Sequence, residues 1–189
     1  MNTAAAHEVL DFWFGAPGSL HYGQSRAAWF RKSADFDALI RERFLPLHQQ
    51  AAGGQLAHWH ESPLTLLALI VVLDQFPRNL FRDSPKAFAT DAMALDAARR
   101  MTALQWDERL NAVERQFVYL PFEHVEDIAA QRESMRLFAS LNSDDLLEWA
   151  RKHYVIIERF GRFPHRNAVL GRASTAAEME FLRQPGSGF

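Results

Sequence analysis

The sequence predicts an all-α protein of roughly nine antiparallel-packed helices in one domain spanning residues 1–189. Three observations carry that expectation. Apolar residues recur at three-and-four spacing along almost every segment that can be read periodically, and no run alternates at period two between turn signals. The joins are short and marked by Ser, Pro, Gly or Asn. Composition allows such a fold: 48% hydrophobic residues, with 15 Phe and 5 Trp, supply a core large enough to stand without a metal or staple.

Ala4 to Phe14 opens with helix formers and sets Leu10, Trp13 and Phe14 on one side, with Gly15 and Pro17 ending it. Gly15 to Gly23 reads as loop, and a short helix from Ser25 carries Trp29 and Phe30. Ser33 then caps a longer helix striped by Phe36, Leu39, Ile40, Phe44 and Leu47, kinked at Pro46 and stopped by Gly53-Gly54. Ser62-Pro63 and Ser84-Pro85 start helices by one device. The serine oxygen takes a first-turn amide, and proline at the first helical position has no amide to leave unpaired. The first of these runs from Pro63 to about Gln75 and is apolar around most of its circumference, which marks it as the middle of the core. The second carries Phe88, Met93 and Leu95 towards Arg99-Arg100.

Asp107 caps a helix through Phe117, Val118 and Leu120 that Pro121 ends. Val125 to Leu141 forms another, with Ile128, Met135, Leu137 and Phe138 inward. Asp144 to Phe160 buries Leu146, Leu147, Trp149, Tyr154, Val155, Ile156 and Ile157. Thr175 and Glu178 have capping-box spacing for a last helix ending near Pro185, and 185–189 is a flexible tail unless its carboxylate is bound.

Composition and motifs also exclude functions. There is no cysteine, so disulfides, thiol nucleophiles and Cys-ligated zinc fall away. The formal charge of -2 argues against nucleic acid as a partner, and the five Trp fall on inward faces rather than forming a stacking platform. Leu64 to Leu73 is the longest oily run and is about half the ~20 residues a membrane span needs. Met1 to His7 lacks the positive region of a signal peptide, so a cytoplasmic protein with no membrane role is expected. No dinucleotide, phosphate-loop or nucleophile-elbow motif is present. His58, His60 and Glu61 are closely spaced but lack the His-Glu-x-x-His arrangement, and read as solvated loop residues; no metal or cofactor is expected.

The order Phe-Pro, Arg-Asn, apolar, Arg occurs twice, at Phe76-Pro77-Arg78-Asn79-Leu80-Phe81-Arg82 and, with insertions, from Phe163 to Arg172. Each follows an apolar helix, as a duplicated hairpin or solenoid-like stack of helix-ending turns would. These blocks, with Asp74-Gln75, Ala87-Phe88-Ala89-Thr90-Asp91, Tyr119-Leu120-Pro121-Phe122-Glu123-His124, Arg159-Phe160-Gly161-Arg162 and Pro185-Gly186-Ser187-Gly188-Phe189, resemble the signature blocks of a bacterial family known only as domain of unknown function nine hundred and twenty-four. The similarity starts near Val9 and covers nearly the whole chain. The resemblance implies a tetratricopeptide-like α-α superhelix and supplies no activity or catalytic residues.

Three helix ends hold the polar residues beside long apolar segments: Asp74, Gln75, Arg78 and Asn79; Glu123, His124, Glu126 and Asp127; Arg159, Arg162, His165, Arg166, Asn167 and Arg172. A buried charge needs a partner, so these read either as structural pairs, Asp74 with Arg78 or Arg166, or as one polar pocket if the ends converge. In the pocket reading the chain is a helical binding module. Asp74, Arg78, Asn79, Arg162, Arg166 and Asn167 hold a small anionic ligand or acidic peptide segment, since guanidinium forks match carboxylate and phosphate. Two alternatives stand beside it. One is a cofactor-free hydrolase or lyase with His124 or His165 as general base beside Glu123; the other is a structural protein-protein adaptor with an exposed apolar face.

Overall fold

Three predicted serine or threonine caps start three helices. Ser33 Oγ accepts the Phe36 N–H at 3.3 Å, Ser62 Oγ accepts that of Thr65 at 3.4 Å, and Thr175 with Glu178 closes a full capping box. The computed structural model describes residues 3–188 and is all-helical, with no strand among the described residues. Its helices are α1 (Ala4–Phe14), α2 (Ala34–Ala52), α3 (Pro63–Ile70), α4 (Phe76–Leu80), α5 (Asp91–Ala103), α6 (Ala112–His124), α7 (Ile128–Ala139), α8 (Asp144–Phe160) and α9 (Ala176–Leu182).

The contacts divide the chain into two compact units. The first runs to Arg82 and resumes at Lys86–Pro121; the second holds Asp83–Pro85 and the described residues from Phe122 onward. In the first unit α3 packs against α1 and α5, and α2 against α4. Leu66 to Leu73 is buried throughout, as its apolar circumference requires. An aromatic cluster closes this core, with Phe117 4.7 Å from Trp29 and 5.6 Å from Trp13, and Phe76 4.9 Å from Phe44. Burying each such ring fully stabilises by about 1.5–3 kcal/mol.

The first Phe-Pro block does not end its helix. A five-residue π-helical segment, Val71–Gln75, links α3 to α4, and Phe76 N–H reaches back to Val71 O. Widening the helix frees two carbonyls, and side chains take both. Leu73 O, which Pro77 cannot serve, accepts the Thr90 hydroxyl at 2.6 Å; Val72 O accepts Nδ1–H of buried His48 at 3.1 Å. Burial holds His48 below the ordinary imidazole pKa, although the bond to Val72 pulls the other way.

Other predicted boundaries shift for identifiable reasons. The Ser25 and Ser84-Pro85 segments form only 3-10 turns, Ala27–Trp29 and Pro85–Phe88. Pro46 lies inside an α2 that continues to Ala52. Asp107 is spent accepting the Tyr119 hydroxyl at 2.7 Å, so Asn111 caps α6 instead, accepting the Val113 and Glu114 N–H groups at 3.0 Å. Pro121 does not end α6, because Phe117, Tyr119 and Phe122 on the same helix are buried and hold it in register. Asp127 starts α7, accepting the Ala130 N–H at 2.9 Å, which places it off the helix of Glu123.

In the second unit α7 packs on α8, and Ile156, Ile157 and Phe163 form a core flanked by Ile128, Phe160 and Phe181. The inward face of α8 is Ala150, His153, Ile156 and Ile157, whereas Trp149 and Val155 lie exposed. Gly161 ends α8 in the left-handed region at φ +69°, a conformation glycine adopts without strain. Phe189 lies outside the described residues, while Gly188 lies against His165. No helix of the described residues is long and apolar enough to cross a membrane.

Candidate active site

Because α6 continues past Pro121, Glu123 and His124 sit in its last helical turn, where carbonyls lack intrahelical partners. The Gln131 side chain on α7 supplies them: its Nε2 donates to Glu123 O at 2.6 Å and to Val125 O at 2.9 Å. Both amide hydrogens are thereby used, which fixes the amide orientation and turns Oε1 away from those carbonyls.

Glu123 reaches α8. Its Oε1 lies 2.7 Å from Nδ1 of His153, and both side chains are almost fully buried, 4% and 7% exposed. The same Nδ1 lies 2.9 Å from Trp149 O. Two acceptors on one ring nitrogen require that nitrogen to carry the proton, so the neutral imidazole presents Nε2 as its basic atom. A carboxylate on Nδ1 fixes the tautomer and stabilises the imidazolium that forms when Nε2 takes a proton.

Three buried polar atoms of α6 and α7 have no hydrogen-bond partner: Glu123 Oε2, Gln131 Oε1 and Ser134 Oγ. Gln131 and Ser134 are 0% exposed and lie one turn apart on the inner face of α7. Leaving such a group unsatisfied costs about 1–3 kcal/mol, so three together mark a region not optimised for stability.

Phe163 joins the other imidazoles to this cluster. Its ring is 5.6 Å from that of His153 and 5.5 Å from that of His165, and the Arg166 guanidinium lies over it at 4.5 Å. His124 lies 6.2 Å from His153, ring to ring. Burial first, and then the Arg166 charge, push His165 down to about 4, against a smaller opposing pull from Glu126. At neutral pH it is therefore an uncharged acceptor and not a general acid.

The surrounding cations are largely neutralised. Arg172 forks onto Glu126 at 2.6 and 2.8 Å, and Arg162 forks onto Glu178 at 2.6 and 2.8 Å. Burial alone would raise Glu126, but Arg172 and the Phe163 N–H hold it below the ordinary carboxylate range. The Arg162 bond takes Glu178 down to about 2. Asn167 is equally engaged, accepting from Arg172 Nε at 3.0 Å and donating to Ser174 Oγ at 3.1 Å.

Asp74, Arg78 and Asn79 belong to the first unit. Arg78 bridges Asp74, 3.4 Å away, and Asp91 at 3.0 Å, while Asn79 donates to Asp37 at 2.8 Å and Arg82 joins the same carboxylate. Of the sequence-predicted residues, the second unit thus gathers Glu123, His124, His165, Arg162, Arg166 and Asn167, and supplies the imidazole that sequence reasoning missed, His153. Its signal was available: position 153 shares the three-and-four register of Ala150, Ile156 and Ile157. First-unit surface grooves of about 490 Å³, beside His7, Ser62 and Arg109, and about 240 Å³, beside His60 and Asp96, include none of the predicted residues. Among the described residues no three His, Asp or Glu side chains group as metal ligands.

The family model described as "Bacterial protein of unknown function (DUF924)" matches residues 9–186. The solved structure of a protein of unknown function, ATU0120 from Agrobacterium tumefaciens, is similar at 41% identity and a TM-score of 0.86, covering 96% of this chain and 98% of that one. No curated protein matches the chain.

Proposed function

The chain belongs to the bacterial family of unknown function DUF924, and from its site we propose a cofactor-free acid–base enzyme, a hydrolase or lyase, working through His153 and Glu123. The observation that carries this reading is the buried 2.7 Å contact between Glu123 Oε1 and His153 Nδ1, with Glu123 Oε2 left without a partner. In this reading Nε2 of His153 takes a proton from substrate or water and returns it to the leaving group. Glu123 positions the ring, and His124 and neutral His165 stand near as further acceptors. Positioned general base catalysis contributes roughly 10²–10⁴-fold to a rate.

Binding of an anion by the arginines has less support. The forks of Arg78 and Arg162, which a carboxylate or phosphate ligand would need, close on Asp74, Asp91 and Glu178.

The test is turnover of ester, amide, phosphoester and β-elimination substrates by the wild type and by His153→Gln and Glu123→Gln, with His124→Ala and His165→Ala alongside. His153→Gln should lose at least roughly a hundredfold in kcat, and Glu123→Gln should also shift the acid limb of the pH profile. A wild-type rate on every substrate equal to that of His153→Gln would remove the proposal.

A further inference from the structure

Glu123 is held from two sides by two different helices. Its carboxyl reaches α8, with Oε1 2.7 Å from Nδ1 of His153. Its main-chain carbonyl accepts from the Gln131 amide of α7 at 2.6 Å, and the same Nε2 donates to Val125 O at 2.9 Å. Gln131 is 0% exposed, and α7 itself packs on α8. The end of α6, α7 and α8 are thereby closed into one ring of contacts that passes through Glu123. The amide matters at this helix end, because Pro121 has already cost α6 a main-chain bond just before it.

His153 Nδ1 also has an acceptor on its own helix, Trp149 O at 2.9 Å, one turn away and independent of α6. If the end of α6 moves, that carbonyl still holds the proton on Nδ1, and only the carboxyl is lost from the ring. The carbonyl that Gln131 fixes is joined directly to the Glu123 Cα, so displacing it carries the side chain along.

We propose that Gln131 is a positioning residue of the acid–base couple: its amide sets the end of α6 so that the Nδ1–H of His153 is shared with Glu123 instead of resting on Trp149 O. The inference rests on the acid–base reading for its catalytic consequence alone. A misplacement of about 1 Å in such a group can cost on the order of 10²-fold in rate.

Long-range proton–nitrogen NMR correlation of the His153 ring in the full-length chain tests it, with turnover measured alongside. Gln131→Met keeps the length of the side chain and removes both donors; Gln131→Asn keeps the amide but is one methylene shorter, so that one folded variant, confirmed by circular dichroism, suffices. In each, Nδ1 should stay protonated while its resonance moves from the wild-type position towards that of Glu123→Ala, in which the carboxyl is gone and Trp149 O remains. Leu137→Ala truncates a buried apolar residue of the same helix and should lower the urea midpoint without moving the resonance. On any substrate that the wild type turns over, Gln131→Met should lower kcat roughly 10- to 100-fold at unchanged KM, and the acid limb of the pH profile should move as it does in Glu123→Gln. A resonance at its wild-type position in the Gln131 variants, or one that moves equally in Leu137→Ala, overturns the proposal. A resonance that moves as expected in a chain that turns over no substrate would sink the enzyme reading and leave this one standing; turnover with an unmoved resonance would do the reverse.

Discussion

Phe76-Pro77-Arg78-Asn79 and Phe163-Pro164-His165-Arg166-Asn167 present one residue order in two different backbones. In the first unit the helix passes through its proline by widening to a π segment, and α4 follows without a break. In the second unit Gly161 has already turned the chain through the left-handed region, so Pro164 starts a 3-10 turn instead. What precedes the motif decides its shape: no glycine stands before Pro77, and Thr90 and His48 are in place to take the freed carbonyls. The polar groups diverge as well. Around Pro77 they close into ion pairs with buried partners, whereas the second unit, upstream of its Phe-Pro turn, keeps three acceptors on α6 and α7 without partners. One turn closes on its own ion pairs, and the other lies beside the acid–base couple proposed above.

The largest expected effect lies in the first unit. Asp74 is 0% exposed and holds both Arg78 and the Gln75 amide, the latter at 2.6 Å. Asp74→Ala leaves a partly buried guanidinium short of a carboxylate and should destabilise the fold by about 3 kcal/mol. Glu123→Gln keeps the shape of its side chain and should cost only about 1 kcal/mol, since Oε2 has no bond to lose. Urea midpoints measure both. Equal losses would erase the contrast between a structural pair and a functional one.

A pH titration sharpens the comparison from the other side. The His165 pKa of about 4 in the folded chain is below its ordinary 6.5, so between those values the unfolded chain binds the extra proton. Its contribution to stability is therefore complete above pH 6.5 and is lost as pH falls towards 4, at up to about 1.4 kcal/mol per pH unit. His165→Asn should flatten that slope. His48 and His60, both lowered by burial, leave a residual slope of the same sign. Stability measured by urea unfolding at pH 7 and pH 5 checks this, and identical slopes in wild type and variant would show that His165 is not desolvated.

How far these features were legible depends on whether they are local. The caps at Ser33, Ser62 and Thr175 are three-residue arrangements, and the apolar circumference of α3 is written in its own composition, so both could be read directly. Pro121 could not, because a proline is tolerated inside a helix only when tertiary burial outweighs the lost amide bond, and the burial of Phe117 and Phe122 depends on distant residues. Moving the end of α6 from Leu120 to His124 is what turns Glu123 towards α8. The same limit hid His153. Trp149 and Val155 look like core residues and are exposed, which rotates the inward face by a fraction of a turn onto an imidazole. The sequence reading set Glu123 beside His124 or His165, whereas the imidazole in contact with it is His153, on a face that hydrophobicity alone ranks second.

The smallest effect has the most telling sign. Ser134 Oγ is buried without a partner, so Ser134→Ala removes a desolvated hydroxyl and should stabilise the chain by up to about 1 kcal/mol, a gain that destabilising loss of packing cannot imitate. Gln131→Leu, one turn away, should do the opposite despite its equally unpartnered Oε1, because its Nε2 caps the Glu123 and Val125 carbonyls at the end of α6. The pair therefore separates two origins of polarity in one buried face: an amide that holds a helix end and a hydroxyl that holds nothing in the protein. If Ser134→Ala lowers the urea midpoint as Gln131→Leu does, the hydroxyl is structural and the second unit becomes as closed as the first. If it raises the midpoint, the hydroxyl carries no structural load and stability has been given up at this position.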